Sequence, residues 1–120
     1  MNTFIKLSLT LLSISILSGC VFIHSNEDSN KNWQHVQKKN REVISQLSLN
    51  STRTQIEHQL GLPNFTEAFM KNDQEYRVNY YRTSRQHHDD VTSKDETTPL
   101  IFKNNQLIGW GHDALLRVNQ

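Results

Sequence analysis

The chain has 120 residues, of which 35% are hydrophobic, with thirteen basic against twelve acidic side chains and a net charge of +1. That length allows one small domain around a single core, and so even a balance of charge leaves no electrostatic case for a nucleic-acid partner. A single cysteine, Cys20, excludes an internal disulfide framework.

Met1 to Lys6 is followed by an apolar run from Leu7 to Leu17, broken only by Ser and Thr, and then by Ser18-Gly19-Cys20. Spanning a bilayer as a helix takes about 20 apolar residues, so the run is too short to span, and residues 1–19 are expected to be a signal peptide. The ending Leu17-Ser18-Gly19-Cys20 resembles the lipobox of bacterial lipoproteins. The resemblance implies cleavage before Cys20, a diacylglycerol on its thiol and an acylated amine, so that a covalent lipid on Cys20, and no cofactor, is the attached group. Each buried acyl methylene contributes about 0.8 kcal/mol, which makes a multiply acylated Cys a lasting membrane anchor. In Gram-negative lipoproteins an Asp after the Cys tends to retain the protein at the inner membrane. Val21 stands there instead, which implies the outer membrane, periplasmic side. Loss of Lys6 with the signal leaves twelve basic and twelve acidic residues, a formal charge of zero.

Residues 20–31 pass from Cys20 into the polar run His24 to Lys31, which is too poor in apolar side chains to order itself and reads as a flexible tether. A folded domain is expected over 32–113 and a tail over 114–120. From Asn32 to Leu49 the apolar residues Trp33, Val36, Val43, Ile44 and Leu47 fall mostly at helical intervals, with Lys38, Lys39, Arg41 and Glu42 between them. Trp33 and Trp110 are assigned to the core. A second, two-turn helix has explicit punctuation: Thr52 as N-cap with Gln55 as its capping-box partner, Ile56 and Leu60 four apart, then Gly61-Leu62-Pro63 as a stop.

Strands follow. Phe65 to Met70 pairs through a turn at Lys71–Gln74 with Glu75 to Thr83, where Tyr76, Val78 and Tyr80 alternate with Arg77, Asn79 and Tyr81. After a polar stretch from Ser84 to Glu96, Leu100-Ile101-Phe102 and Gln106 to Gly111 flank a turn at Lys103-Asn104-Asn105. Pro99 has no N–H to give a ladder and belongs at a strand start or an edge. The order implies an α+β two-layer sandwich, two N-terminal helices packed on one face of an antiparallel sheet of three to four strands.

Leu47 to Pro63, with its Thr-capped short helix ending in Leu60-Gly61-Leu62-Pro63, resembles the signature of the SmpA/OmlA (BamE-like) outer-membrane lipoproteins. Asn79-Tyr80-Tyr81-Arg82 is similar to that family's aromatic strand ending in Arg, and Leu100 to Ile108 to its closing hairpin. The likeness covers roughly residues 41–110 and the lipobox. It implies the same sandwich and a non-catalytic scaffold role in an envelope protein complex, in outer-membrane protein assembly or envelope integrity. Asn50 and Ser51 depart from the Gly-Met usual before the capping Thr, which puts in doubt any contact made by that Met, and the 84–96 loop is the chain's own.

Tyr76, Tyr80 and Tyr81, with Arg77, Arg82 and Arg85, form the set most like a partner interface, because Tyr and Arg are over-represented at contact hot spots. The plainer reading makes half of them core and half strand surface. His87-His88-Asp89-Asp90, joined by His112, supplies zinc or nickel ligand types, so a metal- or small-ligand-binding lipoprotein is the alternative function. Adjacent residues of an extended chain point to opposite faces, and a solvated loop accounts for the run as well. With no free Cys and no Gly-x-Ser-x-Gly elbow the chain is expected not to be an enzyme. An inhibitor module is a third reading, by analogy of fold alone. The sequence carries no signal for an oligomeric state.

Overall fold

The computed structural model describes residues 27–120. The signal segment, Cys20 and the first part of the expected tether lie outside the described residues. The elements are α1 (Glu27–Ser45), α2 (Arg53–Leu60), β1 (Phe65–Lys71), β2 (Gln74–Arg82), a 3-10 turn (Lys94–Glu96), β3 (Thr97–Lys103), β4 (Gln106–Trp110) and α3 (His112–Val118). The strands form one antiparallel sheet in the order β1-β2-β3-β4. The fold is α+β, and no helix among the described residues is long and apolar enough to cross a membrane.

Two Asn-containing turns fix the register. Asn72 and Asp73 take φ of 52° and 60°, and Asn104 and Asn105 take 48° and 63°. Positive φ at both central residues makes the two-residue hairpin turn whose twist matches that of the strands, and short Asn and Asp side chains tolerate it. β2 then sits between β1 and β3, which sets Tyr81, Leu100 and Phe102 on one face and Val78, Tyr80 and Ile101 on the other.

The first face packs under the N-terminal helices. Ile44 from α1 and Ile56 and Leu60 from α2 meet Tyr81, Leu100, Phe102 and Leu107, with Val43, Leu47 and Trp110 at the margin. Thr52 caps α2 as its spacing predicts: its Oγ1 accepts from Gln55 N and its own N–H donates to Gln55 Oε1. Gly61 closes α2 at φ 79° and ψ −163°, a conformation essentially restricted to glycine, with its N–H on Glu57 O at 2.8 Å.

The other face carries a helix the sequence reading missed. The segment read as a tail from 114 belongs to α3, whose Ala114, Leu115 and Val118 pack against Val78, Tyr80 and Ile101. Their i, i+1, i+4 spacing is a helical stripe only one turn long, too short to stand out as a period. α1 differs at both ends. It begins at Glu27, five residues inside the expected tether, and stops at Ser45, where Leu47 N turns back to Ile44 O and Asn50 takes φ 69°.

Pro99 lies inside β3, opposite Tyr80. Its carbonyl accepts from Gly111 N at 2.8 Å, so its nitrogen points the same way, past the last ladder pair with β4, where no donor is needed. The far side of β4 is covered by residues 50–53: Asn50 N and Leu107 O are 2.8 Å apart, Leu107 N and Ser51 O 2.9 Å, and Arg53 N and Asn105 O 2.9 Å.

Candidate functional site

The six residues read as a contact set divide sharply. Tyr80, Tyr81 and Arg82 are only 4%, 1% and 1% exposed, so their polar ends serve the fold and are corrected out of any interface. Tyr81 donates its hydroxyl to Gly61 O at 2.9 Å, tying β2 to the end of α2. Burial, with the nearby Glu57 charge, pushes its pKa up to about 12. Tyr80 donates to Glu67 Oε2 at 2.9 Å, and burial raises its pKa too.

Arg82 is the centre of a buried polar knot. Its guanidinium lies 3.0 Å from Glu96 Oε2, donates to Thr92 Oγ1 at 2.8 Å and stacks 4.2 Å from the Trp33 ring centroid. The Arg82 carbonyl accepts from Asn40 Nδ2 of α1 at 2.9 Å, and its N–H donates to Asn64 Oδ1. Glu96 also accepts from Gln86 N at 3.1 Å, Ser93 N at 3.3 Å and Ser93 Oγ at 3.0 Å. Burial alone raises the Glu96 pKa, but the Ser93 and Gln86 hydrogen bonds and the Arg82 charge outweigh it and hold the carboxyl below its ordinary range. The 84–96 loop is thereby tied down at its end and is more than solvated chain. Trp33, expected in the apolar core, instead covers this ion pair.

Tyr76, Arg77 and Arg85 are half-buried. Arg77 pairs with Glu75 on the helix side of the sheet, and Arg85 Nε donates to His87 O at 3.2 Å. Tyr76 is the one member that belongs to a coherent exposed surface. On the α3 side of the sheet it stacks on Phe69 across the ladder, centroids 5.4 Å apart and rings 6° from parallel. Phe65 meets Tyr80 edge-on at 6.5 Å. α3 packs on β3 and β4 and leaves Phe65, Phe69 and Tyr76 partly open on β1 and β2. Lys103 Nζ lies 5.8 Å above the Tyr76 ring and Lys94 Nζ 5.0 Å above that of Tyr80, and Lys94 also pairs with Glu67. Three partly exposed aromatic rings bordered by lysines suit an apolar contact with an acidic rim. Phe65 and Phe69 were missed as contact candidates because alternation alone does not say which strand a helix leaves uncovered.

The alternative metal set is not assembled. His87 Nε2 is 2.9 Å from Asp95 Oδ2 on an exposed loop, and that hydrogen bond and charge raise the His87 pKa. His112 Nε2 sits 3.0 Å from Thr97 O, and among the described residues no three His, Cys, Asp or Glu side chains group as metal ligands. Open clefts among the described residues include the following pair. One of about 270 Å³, between the 46–51 loop and α2, is lined by residues such as Gln46, Ser51, Gln55 and Gln59; one of about 290 Å³ lies among Leu49, Ile108, Trp110 and Arg117.

No curated protein matches the chain. Among solved structures, a candidate beta-lactamase inhibitor protein from Streptococcus mutans is similar at 21% identity and a TM-score of 0.43, over 58% of this chain and 41% of the other. This chain therefore spans less than half the length of that protein. The DUF3192 family, described as protein of unknown function, matches residues 18–117. Since that match takes in Cys20 and almost the whole folded part, the chain belongs to the DUF3192 family.

Proposed function

We propose that this chain is a lipoprotein of the bacterial cell envelope, held by acyl groups on Cys20 at the periplasmic side of the outer membrane, and that it works as a non-catalytic binding or scaffold module. The carrying observation is the sequence Leu17-Ser18-Gly19-Cys20 behind a short apolar run. The family match, residues 18–117, takes in Cys20 together with the folded part, so the candidate anchor residue falls within the family's own region. A finer kinship with the SmpA/OmlA lipoproteins, in outer-membrane protein assembly or envelope integrity, is supported by the capping box of α2, its Gly61 stop and the strand hairpins in the same order.

The binding surface in this reading is the open part of the sheet, Phe65, Phe69 and Tyr76 with Lys103 and Lys94 beside them. The hydroxyl of Tyr81 and the carboxyl of Glu96 are committed to packing, which fits a scaffold better than a reaction centre. The test is affinity capture of the tagged full chain from detergent-solubilised envelopes, native against a Phe69→Ala, Tyr76→Ala variant. The reading predicts an envelope protein complex that the variant loses. Recovery of no envelope protein above a soluble control protein would contradict it.

A further inference from the structure

We propose that the outer edge of β1 pairs with β1 of a second copy of this chain, antiparallel about a two-fold axis at Phe69. The two-residue turn at Asn72–Asp73 makes Lys71 and Gln74 a hydrogen-bonded pair, and alternation along an antiparallel ladder then bonds the odd residues of β1 to β2. The N–H and C=O groups of Thr66, Ala68 and Met70 therefore face outward. The two edges of the sheet are treated differently: β4 is covered by residues 50–53, whereas no described residue pairs with the outer side of β1. β1 has no proline and its register with β2 is uninterrupted, so it lacks two common devices that keep an edge from pairing.

The strand is complementary to itself in one register. With Phe69 opposite Phe69 of the second copy, Glu67 faces Lys71 twice, and Ala68 faces Met70 as the outward hydrogen-bonding pairs. Met70 is 66% exposed, and the pairing covers it. Moving the axis to Ala68 sets Glu67 against Phe69 and Phe65 against Lys71, and moving it to Glu67 opposes like charges, which is unfavourable. The Phe69 register also extends the stack of Phe69 on Tyr76 into a row of four rings across a continuous sheet, doubling the aromatic surface. Glu67 already accepts from Tyr80 through Oε2 and pairs with Lys94 through Oε1, and Lys71 donates to Val118 O at 2.7 Å, but a carboxylate has about four acceptor sites and an ammonium three donors, so each has capacity for one partner more. An edge contact of this length buries less than the roughly 1,200 Å² of a standard stable interface, and the shared membrane raises the effective concentration. The gain from a shared membrane rests on the anchored reading; the pairing geometry does not.

The test uses intact cells making two differently tagged copies of the full chain, one Ala68→Cys and one Met70→Cys, treated with a thiol oxidant. Hydrogen-bonded pairs stand about 5.5 Å apart at Cα, within disulfide reach. The proposal predicts a mixed-tag dimer whose cross-linked peptide joins 68 to 70, and no bridge through position 68 or 70 when either variant is made alone, because equal positions are two residues out of register and beyond about 7 Å. Phe69→Cys alone is predicted to cross-link, and adding Ala68→Pro, which removes only an outward N–H, to abolish it. Absence of any bridged species, bridging of Ala68→Cys with itself, or cross-links only to a different protein would overturn the proposal. A failed anchor shows separately, as native chain recovered in the soluble fraction rather than with the membranes.

Discussion

Replacing Arg82 with Met separates a structural arginine from a contact arginine. Methionine keeps most of the buried stem and removes the charge, leaving the Glu96 carboxylate, Thr92 and the Trp33 ring without their shared partner. Removing one member of a buried ion pair costs about 3–5 kcal/mol, a large part of the 5–15 kcal/mol typical of a whole domain. For a domain of this size each kcal/mol moves the melting temperature by about 4–8 °C, so Arg82→Met is predicted to lower it by at least about 12 °C. Thermal unfolding followed by circular dichroism measures this. The companion variants Glu96→Gln and Arg82→Met with Glu96→Gln complete a cycle in which the double change costs less than the two single changes together. A melting temperature within about 4 °C of native, equivalent to less than about 1 kcal/mol, with partner capture lost, would rule out a structural role and return Arg82 to the interface.

Gly61→Ala meets no atom within 4 Å of the new Cβ, so its cost is the backbone conformation alone, about 1–3 kcal/mol; urea unfolding that matches native would mean α2 ends otherwise. Tyr81, raised from 10.0 to about 12, favours the protonated native state. Its contribution is complete below pH 10, falls through the window from about 10 to 12, and is absent from Tyr81→Phe when tyrosinate absorbance and unfolding are followed together. Glu96 has the opposite sign. Its folded pKa lies below the ordinary carboxylate value, so its stabilisation is present at neutral pH and lost as pH falls through the folded value, and acid unfolding of Glu96→Gln is predicted to start from a lower plateau and depend less on pH.

The parts of this fold that were readable in the sequence are those set by local chemistry. Thr52 with Gln55, and Gly61 before Pro63, marked both ends of α2, and paired Asn and Asp residues marked both hairpin turns, because capping and positive φ need specific side chains within a few residues. The sheet faces followed from period two in Tyr76 to Tyr81. What alternation does not carry is depth. Tyr80 and Tyr81 lie on opposite faces and both are buried, since α3 covers one face and α1 and α2 the other. The Arg82 to Glu96 pair spans 14 positions, and nothing local links the two. A partial signal was present: Ser93-Lys94-Asp95-Glu96 is a capping-box spacing, and both of its reciprocal bonds form. α1 hid its buried polar stripe for the same reason. Gln37 and Asn40 are buried on the face that turns toward the sheet, where a hydrophobic period would have asked for apolar residues.

Metabolic labelling with a palmitate analogue, native chain against Cys20→Ala, followed by membrane fractionation, decides whether Cys20 carries the anchor. The expected result is label on the native chain in the outer-membrane fraction and none on the variant. Equal labelling of the two, or native chain released as soluble protein, would contradict it.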